Sequence, residues 1–111
     1  MRLKSELRVQ AWLRRAVGLG LMATVARKGE AESGSILIKV LGPERRCDVF
    51  TPVTAPDGTP AWLRALAEGG APEREADAYL ARQAKYDSDI WVVEIEDPKG
   101  VFDLGEPILK A

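Results

Sequence analysis

The chain has 111 residues and a formal net charge of −1, with no histidine and one cysteine, Cys47. This length fits one hydrophobic core, so we predict a single domain over residues 1–111. Without histidine the usual base of serine and cysteine hydrolases is missing, and a lone thiol cannot close an internal disulfide or a multi-cysteine zinc site. We therefore interpret Cys47 as a buried structural residue.

The sequence also bears on cellular location. Charged side chains interrupt the first 19 residues, which therefore lack the apolar centre of a signal peptide. No run approaches the roughly 18 apolar residues that cross a bilayer. We expect a cytoplasmic protein that does not enter a membrane.

Charge is distributed unevenly along the chain. Residues 1–56 carry a net charge of +5, whereas residues 57–111 carry −6. A basic region attracts phosphate groups or acidic protein surfaces, and opposite charges on one chain favour self-association. An anionic partner and a homodimer are therefore both reasonable expectations.

The first element is a predicted helix. Apolar residues recur at helical spacing from Ser5, a residue type that can cap a helix, to about Val17. Gly18 and Gly20 follow and are expected to end it.

The side of this helix that faces away from the predicted core is basic. Lys4, Arg8 and Arg15 lie along it at helical spacing, and Arg27 and Lys28 follow the next apolar run. We call these five residues the basic face and predict that it contacts an acidic protein or a nucleic acid. A solvated helix face without a partner is the alternative interpretation.

Three runs rich in apolar and β-branched residues follow the helix. They predict strands at residues 21–26, 35–41 and 47–51, the last ending at Pro52. Glycine and charged residues separate the runs, which is typical of turns. We therefore predict an antiparallel meander of three consecutive strands.

The second half of the chain begins with a threonine followed by proline, the pattern of a helix cap and first helical residue. This pattern predicts a helix from Pro60 to Glu68. Residues that share one helical face after Pro72 predict a second helix from Pro72 to about Tyr86. A strand is predicted at Ile90 to Ile95 and an edge strand at residues 101–104. The predicted fold is α+β: an N-terminal helix, a mainly antiparallel sheet of four to five strands, and two helices inserted before the strand that contains Trp91.

The apolar positions of these elements predict one core cluster. Its members are Trp91, Val93, Ile95, Ile36, Ile38, Val40, Val9 and Leu13. The three tryptophans, Trp12, Trp62 and Trp91, lie on apolar faces, so we expect them to pack in a core or an interface instead of stacking on bases.

Six acidic residues lie between Asp87 and Asp103. Carboxylates at this density could bind Mg²⁺ or act as an acid and a base, which would make the protein a metal-dependent hydrolase. We favour structural roles. Glu94 and Glu96 share one face of a strand, as a solvated edge or in a cross-strand pair with a base such as Lys39. Asp87 and Asp89 are interpreted as helix-end and turn residues that bond nearby backbone amides. We therefore assign no catalytic residue, no metal ligand and no cofactor.

Five segments, taken in order, resemble those of a known family. They are Arg2-Leu3-Lys4-Ser5, Arg27-Lys28-Gly29, Gly34-Ser35-Ile36-Leu37-Ile38-Lys39-Val40, Ala78-Tyr79-Leu80 and Asp87-Ser88-Asp89-Ile90-Trp91-Val92-Val93-Glu94-Ile95-Glu96-Asp97. The family consists of short, single-domain bacterial proteins catalogued as a domain of unknown function. The resemblance covers nearly the whole chain and implies a cytosolic bacterial protein, with no activity, cofactor or site residue.

The sequence leaves three functional hypotheses. The first is a non-catalytic binding or adaptor module that uses the basic face. The second is the metal-dependent hydrolase, and the third is an obligate homodimer with a purely structural role.

Overall fold

One six-stranded sheet organises residues 3–109, the part of the chain that the computed structural model describes. Arg2 of the first resembling segment lies outside these residues. The elements, in chain order, are α1 (Ser5–Gly18), β1 (Met22–Arg27), β2 (Ile36–Leu41), a 3-10 turn (Pro43–Arg45), β3 (Cys47–Thr54), β4 (Pro60–Arg64), α2 (Glu73–Tyr86), β5 (Trp91–Glu96) and β6 (Ile108–Leu109). This arrangement confirms the predicted α+β class.

The strand order across the sheet is β1-β5-β2-β3-β4-β6. β5 lies between β1 and β2, antiparallel to the first and parallel to the second, and β6 is parallel to β4. The predicted pairing of β1 with β2 is therefore wrong, and the sheet is mixed. A parallel neighbour requires a long crossover, which the chain between β2 and β5 supplies and which no local pattern reveals.

The two helices lie on opposite faces of the sheet. The cluster on the α1 face buries six of the eight predicted core residues, with Val40 and Leu13 partly buried against them, which confirms the predicted core. All three tryptophans are buried. Side chains of α2 pack on the other face against two smaller clusters, one around Leu37 and Val92 and one around Cys47. Neither helix is long and apolar enough to span a membrane, within residues 3–109.

The segment predicted as a helix from Pro60 to Glu68 contains strand β4, so one helix, α2, is inserted before β5 instead of the predicted two. Asp57 and Gly58 form the turn of a β3–β4 hairpin, in which the Ala55 amide donates to the Thr59 carbonyl at 2.8 Å and Gly58 adopts a φ of +87°. Aspartate followed by glycine is a strong hairpin pattern, and proline is tolerated at the first residue of a strand. The segment after Gly58 therefore forms a strand of this hairpin, although Thr59 followed by Pro60 also matches the start of a helix.

Two predicted strands also differ from the structure. β3 continues through Pro52 to Thr54, and residues 101–104 form no strand. The buried Asp97 carboxylate accepts hydrogen bonds from the Val101 and Phe102 amides at 2.9 and 2.8 Å. These bonds hold the chain in a turn where an edge strand was predicted.

The start of α1 is tied to the segment before β2. Ser5 is the first residue of the helix instead of its cap, and its hydroxyl donates to the Gly34 carbonyl at 2.6 Å. A Cβ atom on Gly34 would collide with the Asp89 carbonyl oxygen, and so would one on Gly29. The chain before β5 therefore approaches both glycines more closely than any side chain permits.

We expect Gly34→Ala to lower the free energy of unfolding by about 1–3 kcal/mol, because the backbone at Asp89 must move to admit the methyl group. Gly18→Ala is the matched control, since a Cβ there meets no heavy atom within 4 Å. Urea denaturation of both variants measures the difference. Equal loss of stability, or none in either, would show that this close approach is absent.

Trp91 provides a test of the α1-face core. Its side chain is 4% exposed, and its indole N–H donates to the Glu30 carbonyl at 2.7 Å. We expect Trp91→Ala to cost about 3–5 kcal/mol of unfolding free energy, because a large cavity remains. Trp91→Phe should cost about 1–3 kcal/mol, since it retains most packing but leaves the Glu30 carbonyl only the longer hydrogen bond from the Gly34 amide, at 3.3 Å. An unchanged melting temperature for Trp91→Ala would contradict the core assignment.

Candidate functional site: the basic face and the buried lysine

Arg8 is the residue of the basic face that lines two clefts. It lies in the first half of α1, is half-buried, and lines two adjoining clefts of about 430 and 380 Å³. Pro52 of β3 lies in the wall of both clefts, Glu106 in that of the first and Glu32 in that of the second. Among the described residues no carboxylate oxygen comes within 4 Å of the Arg8 guanidinium.

Lys4 lines the second cleft together with Arg8. Its ammonium lies 3.8 Å from the Glu32 carboxylate, and both side chains are largely exposed. An ion pair of this kind contributes little to stability and is easily exchanged for another partner. Lys4 and Arg8 therefore present available positive charge on one side of the helix start.

Arg15 and Arg27 are held in place by the backbone. Arg15 donates to the Leu104 carbonyl at 3.2 Å, and Arg27 donates to the Ser88 and Ile90 carbonyls at 3.0 and 2.9 Å. Carbonyl groups are dipoles without net charge, so these contacts fix the guanidinium positions and leave the positive charges uncompensated.

The five predicted residues occupy three places. Lys4 and Arg8 share a cleft, and Arg15 lies about 10 Å further along α1, at 1.5 Å per residue. Arg27 and Lys28 lie at the end of β1, where Arg27 contacts the segment that leads into β5. The structure thus brings together Lys4 with Arg8 and Arg27 with Lys28.

A second feature is a buried lysine on the α2 face. The Lys39 side chain is 3% exposed, and its ammonium lies 2.8 Å from each of the Glu73, Asp77 and Glu94 carboxylates. Lys39 and Glu94 are partners in the parallel β2–β5 register, which confirms the cross-strand pair for Glu94, whereas Glu96 is exposed at the strand end. All three N–H groups of the ammonium thereby have an anionic acceptor.

Glu73 and Asp77 were not predicted at this site. They lie four residues apart, so they share one side of α2, and the crossover places that side above β2. The spacing was visible in the sequence, but the position of α2 over Lys39 follows only from the strand order.

Burial opposes the charge on Lys39 and lowers its pKa, but the hydrogen bonds to Asp77, Glu73 and Glu94 outweigh it. The net result is a pKa well above the ordinary value of 10.5. The lysine is therefore charged at neutral pH and is unsuited to act as a base or a nucleophile.

Cys47 is completely buried beside Val49 and Ala76, as predicted for a structural cysteine. Burial is the main cause that raises the pKa of its thiol. A protonated and inaccessible thiol reacts slowly with oxidants and electrophiles.

The acidic residues between Asp87 and Asp103 do not converge on one point. Asp87 accepts from the Asp89 amide, Asp103 accepts from the Gly105 amide, and Glu94 is bound to Lys39. Within residues 3–109 no group of three or more histidine, cysteine or acidic side chains is arranged to hold a metal ion. Where three carboxylates do meet, the Lys39 ammonium fills the position that a cation would take.

A family model described as "Protein of unknown function (DUF1491)" matches residues 3–103. The chain belongs to this family. The match confirms the resemblance predicted from the five segments, and the family description assigns no activity. No curated protein matches the chain.

Three solved structures have the same fold, and two of them are of DUF1491 family proteins. The crystal structure of a family protein from Caulobacter crescentus CB15 is 41% identical, with a TM-score of 0.88, and the match covers 97% of this chain and 100% of that chain. An NMR structure of a DUF1491 protein from the same organism is 41% identical over 98% of both chains, with a TM-score of 0.84. The solution structure of protein Atu0922 from A. tumefaciens is 32% identical, with a TM-score of 0.76, and covers 95% of this chain and 91% of its own.

For this DUF1491 chain we expect Lys39→Met to lower the free energy of unfolding by about 3–5 kcal/mol at pH 7. The substitution retains the apolar stem but leaves three carboxylates facing one another, with only the exposed Arg45 guanidinium, 3.6 Å from Glu73, as a remaining cation. Lys99→Met is the control, because Lys99 is exposed and should change stability by less than about 0.5 kcal/mol. If Lys39→Met were as stable as the control, the ammonium would not be essential to the α2 face.

The raised pKa of Lys39 also sets the pH at which its contribution disappears. The stabilisation is fully present below the unfolded-state pKa near 10.5 and falls as pH rises through that value towards the folded-state pKa, because only the unfolded chain loses the proton there. Stability differences between the wild-type protein and Lys39→Met should therefore be constant from pH 7 to 9 and shrink above about pH 10.5. A difference that shrinks already near pH 8 would contradict the direction of the pKa shift.

Proposed function

We propose that the protein is a non-catalytic, cytoplasmic binding module that contacts an acidic protein surface through the first half of α1. Arg8 carries this proposal. Arg8 lines two adjoining clefts, and its guanidinium has no carboxylate partner within 4 Å among the described residues. A half-buried arginine without an internal counter-charge is well placed for a bidentate contact with a partner carboxylate.

Exposed apolar side chains next to Arg8 favour a protein partner. Leu3 is 61% exposed and Leu7 is 52% exposed, and Leu3 lines both clefts. Protein interfaces combine apolar contacts with arginine, whereas non-specific nucleic-acid binding depends on phosphate contacts alone. The combination of leucine and arginine at this end of α1 therefore supports recognition of an acidic protein segment.

Nucleic acid is the second candidate. Arg15 and Arg27 retain uncompensated charge at fixed positions, as a surface that follows a phosphate backbone requires. The hydrolase alternative has less support, because the carboxylates that would carry it accept hydrogen bonds from donors of the same chain.

The test is binding to three labelled probes at low salt: a polyglutamate peptide, a duplex DNA and a single-stranded RNA. We expect the wild-type protein to bind the peptide, and the double variant Lys4→Glu/Arg8→Glu to bind it at least about tenfold more weakly. If DNA is bound instead, the logarithm of affinity should fall with the logarithm of salt by about 0.9 for each phosphate contacted. Fluorescence anisotropy measures the binding of each of the three probes.

The matched control is Arg74→Glu/Arg82→Glu, which makes the same change of charge on exposed positions of α2. It should bind the peptide as the wild-type protein does. Equal weakening in both variants would show that only net charge matters, and absence of binding to every probe would show that the basic face is a solvated helix surface.

A further inference from the structure

β1 forms an open edge of the sheet. In the described part of the chain it has a strand neighbour on one side only, β5. Its first five residues, Met22 to Ala26, contain no charge, proline or glycine, the residues that normally protect an edge from pairing. The bulge between Val25 and Arg27 lies at the end of the strand and leaves Met22–Val25 in regular register.

We propose that two copies of this chain pair antiparallel through β1, joining their six-stranded sheets into one. The twofold axis of such a pair is normal to the sheet, so residues that face each other across the axis must point to the same side. Met22 and Thr24 point to the α2 side with Glu96 and Glu94, and Val25 points to the α1 side with Val93. Placing Thr24 opposite its own copy satisfies this condition and also pairs Ala23 with Val25 of the partner.

The two ends of β1 carry complementary charge. Arg27 is the last residue of β1 and Lys28 follows it, while Glu96 is the β5 residue paired with Met22 at the other end. In the antiparallel pair the basic end of each copy lies beside the acidic end of the other. Two strand spacings, about 10 Å, separate the backbone of the partner's basic end from that of Glu96, a distance that a lysine and a glutamate side chain span together.

An apolar surface lies at the same place. Met22 is 72% exposed, and it lines a cleft of about 630 Å³ with Leu19 and Val101, which are 47% and 50% exposed. The partner's strand end and its Lys28 stem would cover part of this surface. Backbone hydrogen bonds, charge complementarity and apolar burial thus all point to a second copy of this chain as the occupant of the edge.

Thr24→Lys tests the pairing, because it places two ammonium groups opposite each other on the twofold axis. By sedimentation at a series of concentrations, we expect a wild-type dimer, a dissociation constant at least about tenfold higher for Thr24→Lys, and no change for Ala81→Lys on the exposed side of α2. Circular dichroism confirms that each variant is folded. A wild-type protein that is monomeric throughout, or a dimer unaffected by Thr24→Lys, would overturn the proposal.

A charge exchange tests the register. Lys28→Glu should weaken the dimer, and the double variant Lys28→Glu/Glu96→Lys should restore it, because the opposite charges then face each other again. Spin labels on Thr24→Cys should broaden each other's spectra, and labels on Ala81→Cys should not; the buried Cys47 does not take up label. Failure of the double variant to recover, or no broadening at Thr24→Cys, would exclude this register. None of these substitutions changes Lys4 or Arg8. A negative result for the dimer therefore leaves the acidic-partner proposal standing, and a negative result for peptide binding leaves the dimer proposal standing.

Discussion

The insertion of β5 between β1 and β2 is the constraint on which the rest of the structure depends. Most of β5 is buried, with Trp91, Val93 and Ile95 on the α1 face and Val92 on the α2 face, as a strand covered by helices on both sides requires. Because β5 takes the place beside β2, β1 becomes an edge strand and the chain between β2 and β5 must carry a helix across the sheet. The open edge and the buried lysine both follow from this one placement.

The buried lysine divides the α2 face of the sheet. Lys39 lies between an apolar cluster around Leu37 and another around Cys47, where a leucine would have made one continuous layer. A buried ion pair often stabilises no more than an apolar residue of the same volume, but its geometry admits few alternatives. A shift of β5 by one residue would turn Glu94 away from Lys39 and leave the ammonium short of an acceptor. We infer that this cluster fixes the register of β5 on β2.

Local patterns predicted the elements well where the structure is local. α1, β2, α2 and β5 lie within one or two residues of the predicted bounds, because helical spacing and alternation record which side is buried. The pairing of Lys39 with Glu94 was also predictable from alternation. The strand order, the approach of Glu73 to Lys39, and the carbonyl contacts of Arg15 and Arg27 depend on contacts between distant segments, which periodicity does not record.

Hydrogen exchange of the Thr24→Lys variant, followed by mass spectrometry, tests the central position of β5 most directly. This variant removes self-association through β1, so protection reports the fold of the single chain. We expect peptides covering Trp91–Glu96 to be among the slowest to exchange, because β5 is paired on both sides and covered by both helices, and peptides covering Met22–Arg27 to exchange earlier. Exchange of β5 as fast as an edge strand, with β1 and β2 protected together, would contradict the insertion.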